Sequence, residues 1–132
     1  MTAKEILTSC RDAVLELRKL DDQLARCLPT GQPSAVKAQQ YDADPPGTND
    51  PTAAAIQLYE GLMAQREALA QDVARISKTA WRIISTQKDV RTLAILSGYY
   101  MLGQTDQEIA HVQGLSREHV NRLRHEAVDA LQ

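Results

Sequence analysis

A stripe of apolar residues recurs at alternating spacings of three and four near the start of the chain. Its members are Ile6, Cys10, Ala13, Leu17, Leu20, Leu24 and Cys27. Charged residues occupy most of the positions between them, which is typical of an amphipathic helix whose narrow apolar face packs against another helix. We therefore expect a long amphipathic helix within residues 1–28, which ends at Pro29.

The next segment, residues 29–51, contains all five prolines of the chain and is expected to be an irregular linker. A second apolar stripe follows it, made of Leu58, Leu62, Leu69, Val73, Ile76, Ala80 and Ile83. This stripe predicts a second long helix over residues 52–85, with Asp50 as its N-cap and Pro51 at its first position. The two helices are compatible with an antiparallel hairpin within one chain and with a coiled coil between two chains.

Residues 86–132 carry a different pattern, in which short apolar stretches are separated by capping and turn residues. A first amphipathic helix is predicted to end at Gly103, and its apolar positions are Val90, Leu93, Ala94, Leu96 and Tyr100. Thr105 and Glu108 then stand at the spacing of a capping box, in which each side chain accepts a hydrogen bond from the backbone N–H of the other residue. The sequence therefore predicts a helix that starts directly after Thr105.

The residues after the capping box follow the pattern of a helix-turn-helix. A small residue, Ala110, stands where two helices would touch, Gly114 reverses the chain, and Ser116 is the predicted N-cap of the final helix. The predicted core positions of that helix, which share one narrow sector of its surface, are Val120, Leu123 and Ala127. This combination predicts a helix-turn-helix domain over residues 86–132, and an all-α fold for the chain.

The opposite face of the final helix is polar, which is typical of a recognition helix that enters the major groove of DNA. Arginine pairs with guanine, asparagine with adenine, and glutamate with the amino group of cytosine. A serine and free backbone N–H groups at the start of a helix are suited to a phosphate. The candidate DNA-binding residues are Ser116, Arg117, Glu118, Asn121, Arg122, Arg124 and His125.

Composition and charge narrow the function classes. The chain has 132 residues, and its low content of aromatic residues, 4%, favours helices. Its net charge of −2 argues against bulk electrostatic binding to nucleic acid or membranes. The excess of acids lies in residues 29–51, whereas residues 116–125 carry three arginines, one glutamate and two histidines. That local excess of positive charge predicts DNA binding of modest affinity with a shallow salt dependence.

Other classes of protein are not expected. No apolar run approaches the length of a membrane span and no signal peptide is evident, so we expect a cytoplasmic protein without a membrane partner. Cys10 and Cys27 lack a metal-binding or redox spacing. Glu108 and His111 match only half of a di-iron spacing, and no nucleophile–base pair or phosphate-binding loop is evident. We therefore expect no enzymatic activity, no cofactor and no metal.

Residues 105–131 resemble region 4 of sigma-70-type transcription factors. The resemblance covers the capping-box helix and the turn, together with Ser116, Arg117, Glu118, Val120, Ala127 and Leu131. In layout, with long N-terminal helices, a linker and a terminal module, the chain resembles phage-encoded late-gene transcriptional regulators of the RinA/ArpU type. These resemblances imply that Arg117 and Glu118 read double-stranded DNA at a promoter, with RNA polymerase as a partner.

The sequence departs from sigma factors at three positions of the final helix. His119, Asn121 and Arg122 stand where sigma factors usually have arginine, arginine and glutamine, so a different DNA sequence is expected. No sigma region 2 is evident, and we do not expect the chain to open a promoter by itself. Two alternatives stay open: a homodimer through the long helices, and a protein-interaction module that uses the helical hairpin and a helix-turn-helix without DNA binding.

Overall fold

The computed structural model describes residues 2–27 and 51–131, and every regular element in these ranges is helical. The elements are, in order, α1 (Ala3–Cys27), α2 (Pro51–Ile84), α3 (Val90–Leu96), a π-helical segment (Ser97–Met101), α4 (Asp106–Gln113) and α5 (Arg117–Ala130). The all-α fold class is therefore confirmed. Pro51 begins α2 as predicted, whereas Asp50 and the rest of the predicted linker lie outside the described residues.

The chain divides into two compact units, one made of Met1–Leu17 and Leu69–Gln132 and the other of Arg18–Ala68. In the first unit, the start of α1, the end of α2, α3, the π-helical segment and α5 share a core. Its buried members are Leu7, Cys10, Ala80, Ile84, Leu96, Tyr100 and Val128. A second cluster joins α3, α4 and α5 through Ile95, Ile109, Ala110 and Val120. Since apolar burial contributes about 25 cal/mol per Å², these clusters are the main source of stabilisation in this unit.

Cys10 and Ala80 of the predicted stripes are fully buried in the first unit, but two further buried residues lie next to stripe positions. Leu7 and Ile84 are fully buried, whereas Ile6 and Ile83, which the stripes contained, are only half-buried. The core of this unit joins residues of several helices, so the buried face of each helix is wider than a narrow heptad stripe. The helices were predicted correctly, and the residues that they bury were predicted only in part.

Helix α3 buries Leu96 of the predicted stripe, but it also buries a residue that was not predicted and exposes one that was. Val90, which the predicted stripe contained, is 77% exposed, whereas Ile95 is fully buried. The reason is that α3 contributes to both clusters: Leu96 belongs to the larger one and Ile95 to the smaller one. Two adjacent positions are therefore buried, and one amphipathic stripe does not describe this helix.

The π-helical segment (Ser97–Met101) ends where the sequence predicts the end of the helix. The Leu102 N–H donates to the Ser97 carbonyl at 3.1 Å, a spacing of five residues that defines a π-turn. Gly103 follows in the left-handed region with φ 71°, which is the conformation that glycine adopts at low cost after a helix. This end directs the chain from α3 into α4.

The second unit (Arg18–Ala68) holds the end of α1 and the first part of α2. Leu20 and Leu24 of the predicted stripe are buried here, whereas Leu58 is 57% exposed. Arg66 Nε donates to Asp21 Oδ1 at 2.5 Å, and both side chains are partly exposed. The predicted apolar stripe of α1 is therefore better buried in this unit than that of α2.

Both cysteines are free thiols, and Cys10 is buried. Burial raises the pKa of the Cys10 thiol, an effect that its contact with Ser77 Oγ at 3.8 Å reduces. None of the helices in residues 2–27 and 51–131 combines the length and apolar character needed to cross a membrane.

Candidate nucleic-acid interface

Helix α4 starts with the predicted capping box. The Glu108 N–H donates to Thr105 Oγ1 at 3.1 Å, and the Thr105 N–H donates to Glu108 Oε1 at 3.2 Å. Two backbone N–H groups that the first turn of a helix leaves unpaired are thereby satisfied. The capping box is confirmed, and it fixes the entry of the chain into α4.

The turn between α4 and α5 also follows the sequence prediction. Gly114 has φ 69°, and its N–H donates to the Ala110 carbonyl. The Leu115 N–H donates to the same carbonyl at 3.0 Å. Ser116 then caps α5, because its Oγ accepts a hydrogen bond from the His119 N–H at 3.1 Å. Local residue chemistry thus sets the direction in which α5 leaves the turn.

The inner side of α5 lies in the core of the first unit. Val120 is fully buried and Val128 is 3% exposed. Leu123 and Ala127 are half-buried and pack against the two clusters. The predicted core positions of α5 are therefore confirmed, although the buried Val128 was not among them.

The other side of α5 is polar and exposed. Four of the candidate residues lie here, namely Glu118, Asn121, Arg122 and His125, while Ser116 and Arg117 are exposed at the N-terminal end of the helix. We call these six exposed residues the α5 outer face. Arg122 Nη2 donates to His119 Nδ1 at 2.9 Å, so this arginine is partly oriented by its own helix. The sequence predicts Glu118, Arg122 and His125 opposite the core, with Asn121 beside them and Arg117 on a flank, and the structure leaves all six candidates exposed.

Arg124, the seventh candidate, does not lie on this face. Arg124 is only 6% exposed. Its guanidinium donates two hydrogen bonds to the Asp106 carboxylate, from Nε at 3.0 Å and from Nη2 at 2.9 Å. The position is four residues after Val120 and four before Val128, so it shares their side of the helix. That spacing, together with an acid at the start of α4, was the signal in the sequence for a buried ion pair. The expectation that Arg124 faces DNA is therefore corrected.

The ion pair changes the protonation behaviour of both partners. Burial alone would raise the pKa of Asp106, but hydrogen bonds from Arg124 and Asn121 and the positive charge of Arg124 outweigh it, so the pKa is lowered. Burial alone would lower the pKa of Arg124, but its hydrogen bonds and the charge of Asp106 raise it. Both groups are thus charged at neutral pH, and the net charge of the pair is zero.

A second arginine reaches this region from α1. Arg11 Nη1 donates hydrogen bonds to the Tyr99 carbonyl at 2.6 Å and to the Gln104 carbonyl at 2.8 Å. It therefore satisfies two backbone carbonyl groups near the end of the π-helical segment. The guanidinium carbons of Arg11 and Arg124 each lie 3.7 Å from the Tyr99 ring centroid. Two cations at that distance must occupy opposite faces of the ring, where each gains a cation–π contact.

Arg11 is one of the charged residues between the stripe positions of the first helix, and nothing in the sequence pattern predicts a role for it. An arginine surrounded by other charged residues has no local signal for a tertiary role. Its carbonyl partners become known only once α1 packs beside α3. The result is a layered contact of Arg11, Tyr99 and Arg124 behind the α5 outer face, which holds α1 and α5 together.

The described residues hold no group of three or more histidine, cysteine or acidic side chains placed to bind a metal ion. Comparisons with protein-family models, curated proteins and solved structures found no match for this chain.

Proposed function

We propose that this protein is a sequence-specific DNA-binding transcription regulator, and that residues 86–132 form its helix-turn-helix domain. The observation that carries the proposal is the division of α5 into two sides. Its apolar side is buried against α3 and α4, while its outer face presents arginine, glutamate and asparagine to solvent within the first turns of the helix. A recognition helix needs this arrangement, because base edges in the major groove are read by such side chains.

The role of each residue follows from its chemistry and its place on the helix. Arg117 lies in the first turn of α5 and is exposed, so it is suited to a forked contact with guanine O6 and N7. Glu118 beside it is an acceptor for the amino group of cytosine. The N-terminal end of α5 also carries a partial positive charge, which favours a DNA phosphate near Ser116.

A regulator of this kind, encoded by a phage or mobile element and located in the cytoplasm, acts with RNA polymerase at a promoter. The long helices α1 and α2 serve as a hairpin or as a dimerisation element. A second subunit would double the number of α5 outer faces, which suits a helix whose own excess of positive charge is small.

The test is selection of bound DNA from a random pool, followed by gel shift of the selected sequence at 50–100 mM salt. We expect the unaltered protein to retain a defined sequence, and Arg117→Ala to weaken its binding by about tenfold or more. Arg82→Ala is the matched control, because Arg82 is an exposed arginine on α2 that lies outside the α5 outer face. Absence of binding to any DNA at the lowest salt concentration would disprove the proposal.

A second candidate function is protein binding without DNA. It is favoured by exposed apolar residues, since Leu102 is 56% exposed and Val112 is 71% exposed. Exposed apolar side chains mark a contact with another protein when they form a contiguous patch, whereas single ones are common on monomers. In that case Leu102→Ser and Val112→Ser would change the sedimentation coefficient or partner binding, whereas Arg117→Ala and Arg122→Ala would not.

A further inference from the structure

One side chain of the α5 outer face is held from below by a carboxylate. Asn121 is exposed, and its Nδ2 donates to Asp106 Oδ2 at 3.0 Å. The Asp106 side chain is only 13% exposed, and the same carboxylate accepts two hydrogen bonds from Arg124. Asp106 therefore joins a base-reading position to the buried ion pair beneath it.

The bond to Asp106 fixes which end of the Asn121 amide points where. An ionised carboxylate only accepts hydrogen bonds, so the amide nitrogen, not the carbonyl oxygen, must face it. An asparagine on the surface without such a partner exchanges its donor and acceptor ends by rotation. Because hydrogen bonds from Arg124 and Asn121 lower the pKa of Asp106 despite its burial, the carboxylate stays ionised near neutral pH.

A fixed amide is what recognition of adenine requires. Adenine presents an acceptor at N7 and a donor at N6 in the major groove, and an asparagine pairs with both through one N–H and its carbonyl oxygen. The bond to Asp106 uses one N–H of Asn121 and leaves the second N–H and the carbonyl oxygen for a base. An amide held in one orientation loses less rotational freedom when it binds than a freely rotating one.

We propose that Asp106 is a positioning residue that orients Asn121 to read an adenine in the major groove, so that the base preference depends on a residue outside the α5 outer face. This inference rests on the proposed function. It goes beyond it in assigning specificity to the first residue of α4. The competing interpretation is that the Asp106–Asn121 bond only helps α4 to pack on α5.

The experiment compares base preference in four proteins: the unaltered chain, Asp106→Ala, Asn121→Ala and the double variant. Each is used to select DNA from a random pool, and binding is then measured with the selected site carrying each of the four bases in turn. We expect the unaltered protein to prefer adenine at one position by about tenfold or more. That preference should fall to nearly onefold in Asn121→Ala and several-fold in Asp106→Ala, with no further loss in the double variant.

Two further variants separate positioning from folding. Arg124→Met breaks the ion pair and lowers stability, but it leaves the Asp106–Asn121 bond, so we expect adenine preference to persist. Asp106→Asn keeps the size of the side chain but can donate as well as accept, so it should weaken the preference without the packing loss of Asp106→Ala. Thermal unfolding of each variant sets a temperature at which all are folded.

Three results are informative in different ways. Full adenine preference in both Asp106 variants would overturn the inference while leaving DNA binding in place. Equal loss of preference in Arg124→Met and Asp106→Ala would overturn it too, because the effect would then come from packing. Failure of the unaltered protein to bind any DNA would overturn the proposed function, and the inference with it.

Discussion

At the scale of single residues, the pair Asp106–Arg124 is the most consequential feature of the chain. Its two side chains are 13% and 7% exposed, and burying two charges costs several kcal/mol of solvation for each ion. Two hydrogen bonds between them, a third from Asn121 and the Tyr99 ring against the guanidinium offset that cost. The net gain from such a pair is small, but loss of either partner leaves the other charge buried without compensation.

We therefore expect Arg124→Met to lower the free energy of unfolding by about 3 kcal/mol, as measured by urea denaturation at pH 7. Arg122→Met is the matched control on the same helix, and because Arg122 is exposed we expect a change within about 0.5 kcal/mol. A change within about 0.5 kcal/mol in both variants would show that Arg124 is as dispensable for stability as a surface arginine.

The same pair predicts a dependence of stability on pH. Because the pKa of Asp106 is lower in the folded protein than in the unfolded chain, its contribution is fully present above the unfolded value of about 3.9. The contribution is then lost as the pH falls through the folded value. The free-energy difference between the unaltered protein and Asp106→Asn should be largest at neutral pH and shrink below about pH 4. Chemical denaturation at several pH values measures this, and a difference that grows on acidification would contradict it.

At the scale of elements, the turn between α4 and α5 depends on one backbone conformation. Gly114 has φ 69°, but a Cβ placed there would meet nothing within 4 Å. A side chain at this position therefore costs backbone strain and no steric clash. We expect Gly114→Ala to lower the free energy of unfolding by about 1 kcal/mol, and Gly114→Asn to cost less, because asparagine tolerates the left-handed region better.

Gly61 provides the matched comparison, since it lies within α2 and a Cβ there also meets nothing within 4 Å. Its backbone is helical, so Gly61→Ala should raise helix stability by about 0.5–1 kcal/mol. Opposite signs for the two glycine-to-alanine substitutions in thermal unfolding would support the assignment. A stabilising effect at both positions would contradict the role given to Gly114.

The elements also show what the sequence could and could not predict. The capping box of Thr105 and the N-cap Ser116 were predicted because each depends on residues three positions apart. The role of Arg11 was not predicted, because its partners are distant in the sequence. The burial of Arg124 was also not predicted, although its spacing from Val120 and Val128 indicates it. A buried arginine is rare enough that pattern analysis places arginine on the surface by default. Helix existence thus followed from local rules, and the composition of the interior followed from tertiary packing.

At the scale of the whole molecule, the distribution of charge decides how strongly the proposed DNA site can bind. Residues 116–125 contain three arginines and one glutamate. The structure pairs Arg124 with Asp106 in the interior, so two arginines remain on the α5 outer face beside Glu118. The excess of positive charge available to DNA from this helix is therefore about one per chain, apart from the histidines.

This lower count sharpens the expected salt dependence. Each phosphate neutralised by a basic side chain contributes about −0.9 to the slope of log affinity against log salt concentration. If Arg122 supplies the phosphate contact while Arg117 reads a base, the slope should be about −1 for one chain and about −2 for a dimer on two half-sites. Sedimentation of the free protein determines whether it is a monomer or a dimer, and therefore which slope is expected. Fluorescence anisotropy between 50 and 200 mM salt measures the slope.

Arg122→Ala should then make the slope shallower by about 1 per chain, whereas Arg82→Ala on α2 should leave it unchanged. A slope steeper than about −5 would require six or more phosphate contacts, which the α5 outer face does not hold even in two copies. Such a slope would therefore place a large part of the DNA contact on basic residues elsewhere in the chain. A shallow slope together with strong sequence preference would instead mean that base contacts, and not phosphate contacts, supply most of the discrimination by this helix.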